Sequence, residues 1–239
     1  MARFFLLPTT AIVVAAGRGT RLGGRTAKAF LPLAGQPMLA YSLHTLSTVP
    51  EVTALVLVVA ADECRQAETI VKARAPWRLP IRIAVGGAER QDSVAAGLAA
   101  VDADADLVLV HDAARPFVRP DCVAACLAAA ASTGAAIAAV PATDTVKLTD
   151  ADGWIVDTPD RSRVWLAQTP QVFRTGLLRE AYRRAAEAGR VATDDAALVE
   201  ELGHRVRVVP GHPQNRKITT PEDLRWADWY ARSTDRGVG

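Results

Sequence analysis

Residues 11–30 have the sequence AIVVAAGRGTRLGGRTAKAF, which begins as an apolar run and continues as a glycine-rich loop. The run at 11–15 predicts a short buried strand. Glycines after it let backbone N–H groups approach a phosphate closely, because no Cβ intervenes. Four cationic side chains lie in the same loop: Arg18, Arg21, Arg25 and Lys28. This charge predicts a cradle for a polyphosphate, although on charge alone the loop also fits a solvated surface loop.

Two nucleotide-binding motifs match this loop in part. The dinucleotide fingerprint G-x-G-x-x-G starts here at Gly17, and its third glycine would fall at position 22, which is Leu22. Gly19 and Gly24 have the spacing of a P-loop, but Arg25-Thr26 replaces the usual Lys-Ser/Thr pair. A planar guanidinium is a poor substitute for the compact ammonium of that lysine. The dinucleotide match is weak, and a P-loop stays open as an alternative.

Composition and length indicate one α/β domain and give no sign of a nucleic-acid or membrane partner. The 239 residues fit a single domain spanning 1–239, and the net charge of +2 gives no sign of a broad nucleic-acid surface. No apolar run approaches the roughly 18 residues that cross a bilayer, and the first residues lack a signal-peptide core. The three cysteines include no CxxC pair. We expect a cytoplasmic protein that binds neither nucleic acid nor a membrane.

Apolar runs and helical patterns alternate through the first 140 residues. Further strands are predicted at residues 54–60, 81–85, 107–110 and 135–140, each a continuous apolar run. This pattern predicts an α/β, Rossmann-like fold with a mainly parallel sheet and helices on both faces. Ligands of such sheets bind beyond the carboxyl ends of the strands. The loops after residues 15, 85 and 110 are therefore expected at one ligand-binding edge.

The alternation breaks near residue 143. Residues 146–149 and 154–156 predict a β-hairpin, and 164–167 predict another strand, so an arm is expected at about 143–168. Trp154 and Trp165 give this arm an apolar surface. Exposed hairpin edges and apolar faces are commonly covered by another chain. We therefore expect a homodimer formed through the arm.

Two more loops carry polar residues at the expected edge. In GGAERQDSV, residues 86–94, paired glycines precede Arg90 and Ser93 at the start of a helix. This loop fits a binding site for a nucleotide or, equally, a tight turn with an N-terminal cap.

The second of these loops contains an aspartate. In HDAARP, residues 111–116, Asp112 follows a buried strand directly. Its carboxylate would bind a cation or hydroxyls, or accept only backbone hydrogen bonds; a Walker B aspartate also occupies this kind of position. His111 is predicted to be structural.

Eight motifs occur in a characteristic order along the chain. They are AAGRGTRLG with Lys28, GGAERQDSV, HDAARP, Asp144-Thr145, Asp160-Arg161, Gln168-Thr169-Pro170-Gln171, Thr193-Asp194-Asp195 and Lys217-Ile218-Thr219. From about Thr10 to Tyr230 the chain thus resembles the 2-C-methyl-D-erythritol 4-phosphate cytidylyltransferases. It departs from them at Ala27 and Ala29, where proline and glutamine are common, and at Ala88, where many members have an acidic residue.

The resemblance implies a glycosyltransferase-A-like nucleotidyltransferase that joins CTP to the phosphate of methylerythritol phosphate and releases pyrophosphate. Arg21 and Lys28 match the pair that stabilises charge on the triphosphate. The implied nucleotide-binding residues are Ala15, Ala16, Gly17, Gly87, Ala88, Arg90, Ser93, Asp112 and Ala113. The implied acceptor-binding residues are Asp112, Thr145, Arg161, Thr169 and Lys217, with Arg161 and Lys217 holding the attacking phosphate. Thr145 and Arg161 would serve the neighbouring subunit. The implied cofactor is Mg²⁺, held mainly by the CTP phosphates, with Asp112 as the candidate protein ligand.

Elementary chemistry agrees with these roles. An acceptor phosphate is already an anionic nucleophile near pH 7, so no serine, cysteine or histidine base is required. Three other functions stay open at this point. A cytidylyltransferase for another polyol phosphate, such as ribitol 5-phosphate, would use the same donor. A P-loop NTPase would hydrolyse nucleotide without an acceptor, and a non-catalytic nucleotide-binding protein would bind CTP without turnover.

Overall fold

A computed structural model describes residues 7–17 and 27–234. The strands of this part are β1 (Thr9–Val14), β2 (Pro32–Leu33), β3 (Gln36–Pro37), β4 (Val52–Val59), β5 (Ile81–Val85), β6 (Leu107–Asp112), β7 (Ala135–Pro141), β8 (Leu148–Thr149), β9 (Ile155–Asp157), β10 (Trp165–Arg174) and β11 (Arg207–Pro210). The α-helices are α1 (Met38–Thr48), α2 (Cys64–Ala73), α3 (Arg90–Ala99), α4 (Pro120–Thr133), α5 (Thr175–Glu187), α6 (Asp195–Glu201) and α7 (Pro221–Ser233).

Seven of these strands form one central sheet in the order β11-β7-β10-β6-β1-β4-β5. Six of them run in the same direction, as the continuous apolar runs predict. Only β10 is antiparallel, and it lies between β6 and β7. The expectation of a mainly parallel sheet is confirmed. The strand expected at 164–167 proves longer, and it belongs to the centre of this sheet.

Helices cover both faces of the sheet, as expected. Along β1, Ala11 and Val13 face a core with apolar residues of α1, α2 and α4. Ile12 points the other way, into a core shared with α3, α5 and α6. This alternation follows from the two-residue period of a strand. The sheet is therefore buried on both faces, and its carboxyl edge is left for ligands.

Helix α3 packs very close to the sheet at Gly97. A Cβ at this position would lie 2.6 Å from Cγ2 of Ile12 and 2.9 Å from Cγ2 of Val58. Only a glycine lets the helix backbone approach β1 and β4 this closely. The contact fixes the height of α3 above the sheet, and with it the place of Arg90 at the helix start.

The expected β-hairpin arm is present between β7 and β10. Strands β8 and β9 pair antiparallel and are followed by a short 3₁₀ helix, Arg161–Arg163. The apolar side chains of the arm are exposed, Trp154 by 74% and Ile155 by 62%. Among the residues that the structure describes, no helix is long and apolar enough to cross a membrane.

Candidate active site

An open cleft lies at the carboxyl edge of the sheet, where the loops after β1, β5 and β6 meet. Most of the expected nucleotide-binding residues line it: Ala15, Ala16, Gly17, Gly87, Ala88, Arg90, Ser93 and Asp112. Two expected catalytic cations, Lys28 and Lys217, line the same cleft. Ala113 does not; it is buried, and its N–H donates to the carbonyl of Val14 (3.0 Å). Residues distant in the sequence thus form one cationic cleft.

Asp112 forms the floor of this cleft at the end of β6, where only 6% of its surface is exposed. Its Oδ1 accepts a hydrogen bond from Nε of Arg90 (3.1 Å), and its Oδ2 lies 2.7 Å from Nζ of Lys217. Nε of Arg115 lies 3.9 Å from Oδ2. Burial raises the pKa of this carboxyl, but Arg90 and Lys217 outweigh burial and hold the pKa well below its usual value. Asp112 is therefore ionised, and the interpretation that it accepts only backbone hydrogen bonds is wrong.

Arg90 is the first residue of α3 and connects two carboxylates. Its Nη2 donates to Oδ2 of Asp195 at 2.8 Å, while its Nε binds Asp112. Tyr182 donates its hydroxyl hydrogen to the other oxygen of Asp195. Burial lowers the pKa of Arg90, but Asp195 and Asp112 raise it above its ordinary value. Arg90 therefore stays charged at any pH the protein meets.

His111 lies beneath Asp112 and is fully buried. Its Nε2 lies 3.1 Å from the carbonyl of Arg115, which can only accept, so the ring proton is assigned to Nε2. Nδ1 then accepts from the hydroxyl of Thr169 at 3.0 Å, and that hydroxyl accepts from the N–H of Asp112. Burial lowers the pKa of His111 to about 4. The histidine is neutral and holds Thr169 in place, so its predicted structural role is confirmed.

A second cleft adjoins the first and shares three of its charged residues, Arg90, Asp112 and Lys217. Its other lining residues come from the end of the 111–116 motif, from β10 and from the segment before α6: Arg115, Ala167, Gln168, Thr169, Gln171, Thr193 and Asp194. Thr169 and Lys217, both expected to bind the acceptor, thus lie beside Asp112. The antiparallel β10 brings Thr169 there.

The segment that carries Lys217 is held by hydrogen bonds from both sides. The N–H of Ile218 donates to the carbonyl of Ala114 (2.8 Å), and Nη1 of Arg115 donates to the carbonyl of Asn215 (2.8 Å). Nδ2 of Asn215 donates to the carbonyl of Thr169 at 2.8 Å. Lys217 is therefore placed by β10 and the loop after β6 together.

Three expected site residues, Arg21, Thr145 and Arg161, are not among those seen to line the two clefts in the part of the chain that the structure describes. Arg21 and the candidate P-loop positions 19–26 fall outside the residues that the structure describes. Thr145 and Arg161 are exposed on the arm and line neither cleft. Nη1 of Arg161 donates to the carbonyl of Thr143 (2.7 Å) within the arm. One chain alone therefore brings Lys28, Asp112, Thr169 and Lys217 together, but not Thr145 and Arg161.

Comparison with known proteins assigns this arrangement to a family. The family model described as 2-C-methyl-D-erythritol 4-phosphate cytidylyltransferase matches residues 9–233. The chain belongs to this family. A cytidylyltransferase of that name from Caldanaerobacter subterraneus is 41% identical over 223 residues, covering 93% of this chain and 98% of the relative. The corresponding protein of Symbiobacterium thermophilum is 46% identical over 224 residues, covering 93% and 92%.

Solved structures of the family share the fold. The 4-diphosphocytidyl-2C-methyl-D-erythritol synthase of Anaerococcus prevotii is similar with a TM-score of 0.84, at 33% identity, covering 94% of this chain and 98% of that one. The cytidylyltransferase of Thermus thermophilus gives a TM-score of 0.74 at 36% identity, covering 93% and 98%. The resemblance inferred from eight ordered motifs is confirmed.

Four polar residues beside the clefts received no role from the sequence: the buried Asp195, Tyr182 and Asn215, and the largely buried Arg115. Asp195 follows an Asp at the start of a helix, where an acidic residue usually acts as a cap. The cap is in fact Asp194, which accepts from the N–H of Ala197 (3.0 Å). Sequence alone offers no signal that separates the capping aspartate from the one that pairs with Arg90.

Proposed function

We propose that this chain transfers the cytidylyl group of CTP to the phosphate of 2-C-methyl-D-erythritol 4-phosphate, giving 4-diphosphocytidyl-2-C-methyl-D-erythritol and pyrophosphate. One observation carries the proposal beyond family membership. Two adjacent clefts share the Arg90–Asp112–Lys217 group, one beside glycine loops and the other beside β10. This arrangement suits a donor and an acceptor that meet at a common charged floor.

In this reaction an oxygen of the acceptor phosphate forms a bond to the α-phosphorus of CTP. The bond between the α-phosphorus and the bridging oxygen breaks, and its electron pair leaves with pyrophosphate. The barrier comes from repulsion between two anions and from charge growing on the leaving group. Fixed cations lower both contributions. We assign this role to Arg21 and Lys28 at the triphosphate, and to Lys217 and Arg161 at the acceptor phosphate.

Backbone groups dominate the proposed donor subsite. The backbone at 15–17 and at Gly87 and Ala88 lines the cleft, and glycine-rich loops of this kind commonly bind phosphates through backbone N–H groups. The N–H of Ala15 itself donates to the carbonyl of Val58 (2.7 Å). Gly86, just before them, has no room for a side chain, since a Cβ would lie 2.7 Å from both Cβ of Ala16 and Oγ of Ser93. Ser93 is buried, and its hydroxyl bonds the carbonyl of Glu89 (3.1 Å). The two loops are therefore packed tightly against each other under the nucleotide.

Asp112, Thr169 and Lys217 form the proposed acceptor subsite of one chain. We propose that the arm of a second subunit completes it with Thr145 and Arg161. Support comes from the exposed apolar residues of the arm, which require a cover: Leu148, Trp154, Ile155, Val156, Trp165 and Leu166. Sedimentation at micromolar concentration tests the homodimer, and a pure monomer contradicts it.

Mg²⁺ is the proposed cofactor. Within residues 7–17 and 27–234, no group of three or more His, Cys, Asp or Glu side chains could hold a metal ion. Mg²⁺ in phosphate-transfer sites commonly binds substrate phosphates and one or two carboxylates, and Asp112 is the carboxylate that both clefts share. The residues present therefore fit a metal held mainly by CTP. When bound, it would neutralise phosphate charge.

Pyrophosphate release tests the function directly. The purified protein is incubated with CTP, Mg²⁺ and one of several polyol phosphates, including methylerythritol phosphate and ribitol 5-phosphate. Release only with methylerythritol phosphate supports the proposal, and release only with ribitol 5-phosphate identifies the sister activity. Phosphate release without acceptor indicates an NTPase, and CTP binding without turnover indicates a regulator.

We also propose a cytoplasmic location, in keeping with the free thiols of Cys64, Cys122 and Cys126.

A further inference from the structure

The guanidinium of Arg90 is held at two points by carboxylates from different parts of the fold. Nε binds Oδ1 of Asp112 on β6, and Nη2 binds Oδ2 of Asp195 at the start of α6. Two bonds to different nitrogens of a planar group fix its plane as well as its position. The Arg90 side chain is nevertheless 27% exposed and lines both clefts. Its orientation toward a ligand therefore depends on both carboxylates.

Asp195 is itself rigidly placed. The residue is 1% exposed, and its second oxygen accepts from the hydroxyl of Tyr182 on α5. Burial raises the pKa of Tyr182, so the hydroxyl keeps its proton and remains a donor. Asp194 caps α6, and the carboxylate of Asp195 bonds Arg90 and Tyr182 instead. A buried carboxylate is costly unless it is paired, so this geometry has a purpose other than helix formation.

Further hydrogen bonds connect residues 190–196, which lead into α6, to α3 and β10. Nε2 of Gln91 donates to the carbonyl of Arg190 (2.9 Å), and Oε1 of Gln91 accepts from the N–H of Ala192 (3.0 Å). The amide of Gln171 on β10 bonds Asp194 at 2.8 Å and the N–H of Ala196 at 3.0 Å. The start of α6 is thus fixed relative to both clefts, and Asp195 is a firm anchor for Arg90.

We propose that Asp195 is a positioning residue of the donor subsite, which sets the plane of the Arg90 guanidinium so that Arg90 can contact the bound nucleotide. The inference rests on the proposed function, because Arg90 is assigned there to CTP. Without the Asp195 carboxylate, Arg90 keeps only the bond to Asp112, and its plane can rotate about that contact. Lys217 keeps its own oxygen of Asp112, so the cation assigned to the acceptor phosphate stays in place and we expect the main effect on CTP.

Steady-state kinetics of Asp195→Asn tests this role, with CTP binding measured by calorimetry in the presence of Mg²⁺ and the absence of acceptor. The substitution keeps the shape and removes the charge. We expect the KM and the Kd for CTP to rise about tenfold or more, with kcat and the acceptor KM within about twofold, because a charge-assisted bond is replaced by a weaker one. Asp102→Asn is the matched control, since it removes an exposed Arg–Asp pair (Arg82–Asp102, 2.6 Å) on the far edge of the sheet.

A double-mutant cycle of Arg90 and Asp195 distinguishes a positioning role of Asp195 from a general effect on stability. In an Arg90→Ala background, Asp195→Asn should cause no further rise in the KM for CTP, because Asp195 then has nothing to orient. Additive effects, or an unchanged KM with a lower melting temperature, overturn the proposal. If Asp195→Asn does not fold, Tyr182→Phe decides by the same criterion. A wild-type protein that neither binds CTP nor releases pyrophosphate contradicts the proposed function instead, so the two failures are distinguishable.

Discussion

Nζ of Lys217 lies 2.7 Å from Oδ2 of Asp112, at the boundary between the two clefts. The pair places Lys217, which we assign to the acceptor phosphate, against the carboxylate that both clefts share. An entering phosphate would share Lys217 with this carboxylate, so the strength of phosphate binding depends on how much charge Asp112 retains. Asp112 already serves Arg90 through its other oxygen. The chemistry of both subsites is thus linked through one side chain.

Lys28→Ala should lower kcat far more than it raises the KM for CTP. Lys28 lines the first cleft at the start of the 3₁₀ helix Lys28–Phe30, between the buried residues Ala27 and Ala29. A preorganised cation acts mainly on charge that develops in the transition state, so we expect a loss of about 10²- to 10³-fold in kcat. Lys72→Ala, at an exposed lysine of α2, is the control and should keep full turnover. Near-normal turnover of Lys28→Ala would exclude the proposed role.

Protonation of His111 should lower the free energy of unfolding at a pH above the range in which carboxylates titrate. Its folded pKa of about 4 lies below its unfolded value of about 6.5. Between these values the unfolded chain takes up a proton that the folded protein does not, so the free energy of unfolding falls as the pH falls, by up to about 3 kcal/mol. Urea unfolding of His111→Gln from pH 7 to 4 should show a shallower dependence.

His44→Gln is the control for this measurement, because His44 is exposed on α1. Its pH dependence should match that of the wild type. The carboxyl of Asp112 has a lowered pKa in the folded protein, so its contribution is lost only below about pH 4, outside the window of His111. Identical slopes for His111→Gln and the wild type would contradict the assignment.

A mixing experiment tests whether Arg161 serves the neighbouring subunit. Lys28→Ala and Arg161→Ala should each be nearly inactive as pure proteins. In a mixed dimer, one site lacks both residues and the other site has both. Random exchange of an equimolar mixture makes about half of the dimers mixed, so about a quarter of all sites, and of wild-type activity, should be regained. No recovery after verified subunit exchange would mean that Arg161 acts within its own chain or not at all.

Gly97→Ala should destabilise the protein, because the new methyl group meets Ile12 and Val58 at less than van der Waals distance. Overpacking of this kind costs about 1–3 kcal/mol. Gly176→Ala in α5 is the matched control, since a Cβ there meets nothing within 4 Å. The control should be unchanged or more stable by up to about 1 kcal/mol. Thermal unfolding of both variants compares them, and equal melting temperatures would mean that α3 can move away from the sheet.

The sequence predicts the part of the fold in which strands are continuous apolar runs. The apolar run at 81–85 predicts a strand with the observed bounds, and the positions of Gly87 and Asp112 at the carboxyl edge of the sheet follow from the parallel topology. The centre of β10 escapes prediction because Gln168, Thr169, Pro170 and Gln171 do not resemble a buried strand. Those polar residues lie there because they face the second cleft or support it.

The candidate site likewise contains residues that the sequence predicts and residues that it does not. Lys28, Arg90, Asp112 and Lys217 are recognisable from motifs, and the structure brings them to one cleft. The partners that orient them are not recognisable, since a contact such as Arg90–Asp195 joins residues far apart in the chain. Local patterns record helices, strands and turns, but they carry no information about which distant side chain completes a hydrogen bond.

The position of β10 limits how the second cleft can vary. Residues on both sides of 168–170 are paired with neighbouring strands, Ala167 with Ala139 and Gln171 with both Val110 and Ile137. Residues 168–170 form an irregularity in this ladder, and the central sheet holds the backbone at both ends of it. We expect a relative that accepts a longer or shorter polyol to differ in the side chains of the second cleft, or in the residues that we propose reach in from a second subunit. On the β10 side of this cleft, substrate range should therefore change through side-chain replacements more readily than through movement of the strand.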